Sequence, residues 1–68
     1  MFAILITLRA EDLPARMGEM RLWLDQHRVE PTTFRYESKG DASTIRVAFA
    51  DRAAAHAFRV AFDGTYDD

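Results

Sequence analysis

The stretch TTFRYESKGDASTIRVAF, Thr32 to Phe49, decides the fold, because both its pattern and its pairing register can be worked out by hand. Phe34 and Tyr36 alternate with Thr33, Arg35 and Glu37, and Ile45, Val47 and Phe49 alternate with Thr44, Arg46 and Ala48. Each is a period-two pattern, the mark of a strand with one buried face. Between them lies Lys39-Gly40-Asp41-Ala42, and Gly-Asp is a two-residue hairpin signal. A turn centred there pairs Tyr36 with Ile45, Phe34 with Val47, Thr32 with Phe49 and Glu37 with Thr44. Every apolar side chain then meets another apolar one. A slip of one residue would turn one apolar row to water, so the register is strongly specified. The same register sets Arg35 opposite Arg46 on the other face, where like charges repel. Glu37, on the diagonal, is expected to neutralise the pair.

Working outward, the chain reads as β-α-β-β-α. Phe2 to Leu8 is the first strand. Asp12 is a candidate N-cap, with Pro14 in the first helical turn where a missing N–H costs little. Leu13, Met17, Met20, Leu24 and His27 then recur at helical spacing, flanked by Trp23. Pro31 is expected to stop this helix by forcing Glu30 extended. After the hairpin, Asp51 caps a second helix with a stripe of Ala54, Ala55, Phe58, Ala61 and Phe62. Gly64 is expected to end it in a left-handed conformation.

These elements imply an α+β domain over residues 1–68, a two-layer α/β sandwich with both helices on one face of a three-stranded mixed sheet. The expected plan is ferredoxin-like, with its last strand either missing or reduced to Thr65-Tyr66. In it the third strand sits centrally, parallel to the first. That leaves the first strand at an edge, although Phe2, Ile4, Ile6 and Leu8 face one way and Ala3 and Leu5 the other. An uncharged edge apolar on both faces must be covered either by the C-terminal tail or by another chain, and the second is the expectation. Ala3 and Leu5, with Leu22 and Val29 on the polar side of the first helix, are therefore the candidate interface residues of a homodimer or a complex with a partner protein.

Composition narrows the chemistry. A chain of 68 residues buries only about 60% of its unfolded surface, so self-association is a common source of added stability at this size. There is no cysteine, which closes disulfide, thiolate and Cys-zinc chemistry and fits a reducing cytoplasm. The formal charge of −2, with both signs interspersed, argues against a nucleic-acid binder, which shows a basic excess. Phe34, Tyr36 and Phe49 all face the helices, so the open sheet face also lacks the aromatics that stack RNA bases. Eight of the nine basic residues are arginine, which codon usage in a GC-rich bacterial genome explains. Met1 to Leu8 lacks a basic leader and is too short to span a bilayer, so no membrane association is expected.

No catalytic residue, metal ligand or cofactor is expected. His27 reads as a helix-end histidine near the favourable dipole end, and His56 has no second ligand one turn away. Glu11-Asp12 precedes a helix and Asp67-Asp68 is expected to be a solvated tail, so neither acid pair is set for acid–base catalysis. Ser38 and Ser43 lack a neighbouring base. What remains is a non-catalytic module that assembles through the first strand or the open sheet face. The alternative is a small-ligand or anion site formed by Arg35 and Arg46 with Lys39, since guanidinium forks match carboxylate and phosphate.

Overall fold

A computed structural model describes residues 1–67. Its elements are β1 (Phe2–Arg9), a 3-10 turn (Ala10–Asp12), α1 (Leu13–Gln26), β2 (Thr33–Lys39), β3 (Ala42–Phe49), α2 (Arg52–Phe62) and β4 (Thr65–Tyr66). The hairpin register is as the alternation requires: Phe34 faces Val47, Arg35 faces Arg46, Tyr36 faces Ile45 and Glu37 faces Thr44. Gly40 takes φ 63, the positive value that a type II′ turn demands of its first central residue. The expected Thr32–Phe49 pair is absent from the ladder. Thr32 instead turns its N–H and its hydroxyl to the Ala48 carbonyl, at 2.8 and 3.2 Å.

The sheet has four strands, not three, in the order β2-β3-β1-β4, and it is antiparallel throughout rather than mixed. The direction follows from connectivity. The α1 crossover returns the chain so that β2 runs the same way as β1, and the tight hairpin reverses it. β3, lying between them, must oppose both. Eight residue pairs join β1 to β3, from Phe2 with Phe49 to Arg9 with Ala42. Thr65 and Tyr66 do form a strand, pairing with Leu5 and Ile4, and the Asp67 N–H extends it to the Ala3 carbonyl at 2.9 Å. β1 is therefore not the open edge expected but an inner strand over Ala3 to Leu5, and the C-terminal segment beside it accounts for its apolar residues on both faces without a second chain.

The core forms between one sheet face and both helices. Ile4, Ile6, Ile45, Val47 and Phe49 meet Met20 and Leu24 of α1 and Ala55, Phe58 and Phe62 of α2. Phe58 is its hub, with ring centroids 5.4 Å from Trp23, 5.3 Å from Phe49 and 4.8 Å from Phe62. Offset and edge-on aromatic pairs of this kind add about 0.5–1.5 kcal/mol beyond area burial. Ala61, expected in the α2 stripe, is exposed. Tyr36 faces the helix layer by register but projects beyond it and stays 57% exposed.

The helix ends differ from the expected ones in instructive ways. α1 stops well before Pro31. The N–H groups of Arg28 and Val29 turn back to the carbonyls of Asp25 and Leu24, at 3.2 and 2.9 Å, with Arg28 at φ 54. That is a Schellman closure with arginine at the left-handed position, and it lays Val29 against the core beside Leu24. Asp12 stands at the N-cap of α1, but its side chain makes no capping bond because a 3-10 turn already leads into the helix. Asp51 does cap α2, accepting from the Ala54 N–H at 3.2 Å. The left-handed residue ending α2 is Asp63, at φ 54, rather than Gly64. Gly64 is needed for another reason: a Cβ there would lie 2.7 Å from Ile4 Cγ2 and 3.0 Å from both Ile6 Cγ1 and the Leu5 carbonyl oxygen. No helix among the described residues is long and apolar enough to cross a membrane.

Candidate functional site

The helices cover one sheet face, so side chains of the other parity form an open face. Reading across the sheet at its middle row, Arg35 of β2, Arg46 of β3, Leu5 of β1 and Thr65 of β4 stand side by side. One row away lie Glu37, Thr44 and Thr7. Leu5, Arg35, Tyr36, Glu37, Thr44 and Arg46 line a shallow depression of about 390 Å³.

The neutraliser of the arginine pair is not Glu37. Arg46 Nε donates to Asp67 Oδ2 at 2.9 Å, across the sheet from the C-terminal tail. Asp67 is thus tied down at both its main chain and its side chain, which corrects its reading as merely solvated; Asp68 lies outside the described residues. Both partners remain more than a third exposed, so the ion pair falls in the surface class and contributes at most about 1 kcal/mol. Arg35 has no carboxylate within ion-pair distance among the described residues. Repulsion from Arg46 is therefore relieved by compensating one guanidinium and letting water screen the other.

Lys39 does not join this cluster. It shares the open-face parity of Arg35 but lies four positions along the strand, a span of about 13 Å at strand rise. The four interface candidates are also dispersed. Ala3 and Leu5 sit on the open face, with Ala3 already buried between its neighbours. Leu22 projects from the outer side of α1 at 57% exposure, whereas Val29 packs on the core. They occupy three surfaces rather than one patch.

The histidines have structural settings. His27 stacks on Trp23 with ring centroids 4.1 Å apart, and its Nδ1–H donates to the Trp23 carbonyl at 2.8 Å. His56 is exposed on α2. Ser38 and Ser43 share a hydroxyl–hydroxyl bond of 2.7 Å that satisfies Ser43 where it is buried. Among the described residues no cluster of three His, Asp or Glu side chains could hold a metal ion.

Sequence reasoning missed Asp67 as a site residue and β2 as the sheet's long free edge. The first signal was present as an acid next to Thr65-Tyr66, and it becomes visible only once those two residues are allowed to pair. Set beside known proteins, the chain matches no protein-family model, no curated protein and no solved structure.

Proposed function

We propose that this chain is a small non-catalytic assembly module that acts as a homodimer, built on the ferredoxin-like plan. The fold reading is supported by the strand order β4-β1-β3-β2 and by helical crossovers from β1 to β2 and from β3 to β4. That plan hosts many unrelated functions and so does not itself argue for assembly. One observation carries the assembly reading: the helices cover only one face, leaving the other face and the whole outer side of β2 without a covering layer among the described residues. For so short a chain, docking that surface against a second copy is a direct route to added stability. The absence of cysteine supports a cytoplasmic setting, and the arginine-rich, lysine-poor composition supports a bacterial source. The non-catalytic part is supported by His27, Ser38 and Ser43, whose side-chain hydrogen bonds are spent on helix closure and hairpin pairing, and by the lone, exposed position of His56 on α2.

Sedimentation velocity combined with native mass spectrometry tests the reading. A concentration-dependent dimer is expected, and a monomer at the highest soluble concentration would refute it.

A second reading is favoured by one specific observation, the guanidinium of Arg35 beside Arg46 in the open-face depression, with no carboxylate at ion-pair distance among the described residues. It makes the module a site for a small carboxylate or phosphate. Inorganic phosphate should then raise the melting temperature of the wild type and leave Arg35→Ala unmoved; equal responses would dispose of it.

A further inference from the structure

β2 is an outer strand of the sheet, free along all seven residues from Thr33 to Lys39. In an antiparallel ladder, alternate residues aim their N–H and C=O groups away from the partner strand, so this side presents a row of unsatisfied main-chain groups. Proteins usually blunt such an edge with a bulge, a proline, an inward-pointing charge or a run of like charges, lysine above all. β2 contains no proline, and its ladder to β3 runs unbroken from Thr33 to Lys39. Its charges point to the open face and carry both signs. Arg35 and Glu37 flank Tyr36, the exposed aromatic at the strand's midpoint.

That arrangement is self-complementary under a two-fold rotation. An axis normal to the sheet keeps every side chain on its own face, so each residue must meet one of the same parity and the pairing must centre on a residue. Centred on Tyr36, the two strands overlap over their full length. Arg35 of each copy then faces Glu37 of the other, Tyr36 faces Tyr36, and Phe34 faces Ser38. Centring on Arg35 or on Glu37 shortens the overlap and sets identical charges opposite one another; centring on Glu37 also puts Arg35 against Lys39. Centres further out overlap by three residues or fewer. Opposite charges directly across an antiparallel pair are favourable and like charges are not, so a single register is selected.

We propose that two copies of this chain join antiparallel along β2, centred on Tyr36, with reciprocal Arg35–Glu37 pairs. The interface is isologous, as a two-fold dimer requires. The two sheets continue as one of eight strands, all four helices lie on the same side, and the open faces merge into a single broad surface.

This deepens the homodimer reading and rests on it, and charge reversal separates the two. Arg35 and Glu37 are both exposed, so reversing either leaves the core untouched, which far-UV circular dichroism checks. Arg35→Glu alone or Glu37→Arg alone places like charges opposite at both ends of the pairing. Each is expected to sediment as a monomer at concentrations where the wild type is a dimer. Mixed one to one, the two variants are expected to form a heterodimer, because an all-acidic edge now meets an all-basic one. The chain carrying both changes regains the homodimer. Tyr36→Cys gives a second readout, since no native cysteine competes: a short bis-maleimide should link two copies there and fail to link Leu5→Cys. A wild-type dimer that survives Arg35→Glu, is not rescued by mixing, or crosslinks at Leu5→Cys instead overturns this interface and leaves the assembly reading standing. A wild type that is always monomeric overturns both.

Discussion

Replacing Gly64 by alanine tests the close approach between the end of α2 and β1. The added methyl would lie 2.7 Å from Ile4 Cγ2, well inside any real contact, and 3.0 Å from Ile6 Cγ1 and the Leu5 carbonyl oxygen. None of the three can easily yield. Ile4 is wholly buried, and its branch at Cβ fixes χ1, so Cγ2 cannot swing away alone. Ile6 is 4% exposed, and the Leu5 main chain is held between Arg46 and Thr65. Overpacking of this kind costs about 1–3 kcal/mol. Alanine restricts the unfolded chain and returns about 0.4–1 kcal/mol of that. A net loss of about 1–2 kcal/mol is expected, which for a domain this small lowers Tm by about 4–16 °C. Gly18→Ala is the matched control. Gly18 lies within α1 with nothing within 4 Å of the new methyl, so removing an interior helical glycine should stabilise by about 0.5–1 kcal/mol. Urea unfolding followed by Trp23 fluorescence measures both, at one protein concentration and with the m-value checked for constancy. Gly64→Ala proving neutral or stabilising, or the two variants shifting together, would show that the close approach does not constrain position 64.

The helix termini provide two further tests. Arg28 holds a left-handed conformation that favours glycine, so Arg28→Gly should raise stability by about 0.5–1 kcal/mol in the same urea assay, and a loss would count against the Schellman closure. Asp51→Ala should cost about 1 kcal/mol because it removes the bond to the Ala54 N–H, while Asp12→Ala should be near neutral; equal costs would contradict the difference in capping.

The hairpin was legible because two independent signals agreed on it. Its apolar rows admit one register, and Gly40-Asp41 fixes the turn that produces that register. The direction of β1 was equally available from connectivity, since a crossover followed by a hairpin forces the middle strand antiparallel to both neighbours. β4 was not, because two residues carry no periodicity and pair only where β1 is already in place. The same holds for Asp67, whose ion pair with Arg46 joins residues 21 positions apart. Pro31 drew attention as a helix stop, yet α1 ends earlier because Leu24 and Val29 meet over a left-handed Arg28, a position where arginine sends no signal. At Gly64 the residue type suggested conformational freedom, whereas its use is steric. Arg35 and Arg46 were placed correctly relative to each other, but their compensating charge came from an element that sequence could not position.

The inner position of β1 bears on how the chain is made. β1 is complete at Arg9, while the strand it pairs with, β3, ends at Phe49, forty residues later. At ribosomal rates of about 5–20 residues per second, the apolar run from Phe2 to Leu8 waits roughly 2–8 s for its partner. Its second neighbour, β4, arrives later still. The β2–β3 hairpin, closed by two residues, can form in about 1–10 μs once emerged. The hairpin can therefore close before β1 has a partner, and β1, although translated ahead of β2 and β3, is enclosed after them. A molecular chaperone acting on this chain would find its binding segment in Phe2 to Leu8, within those seconds.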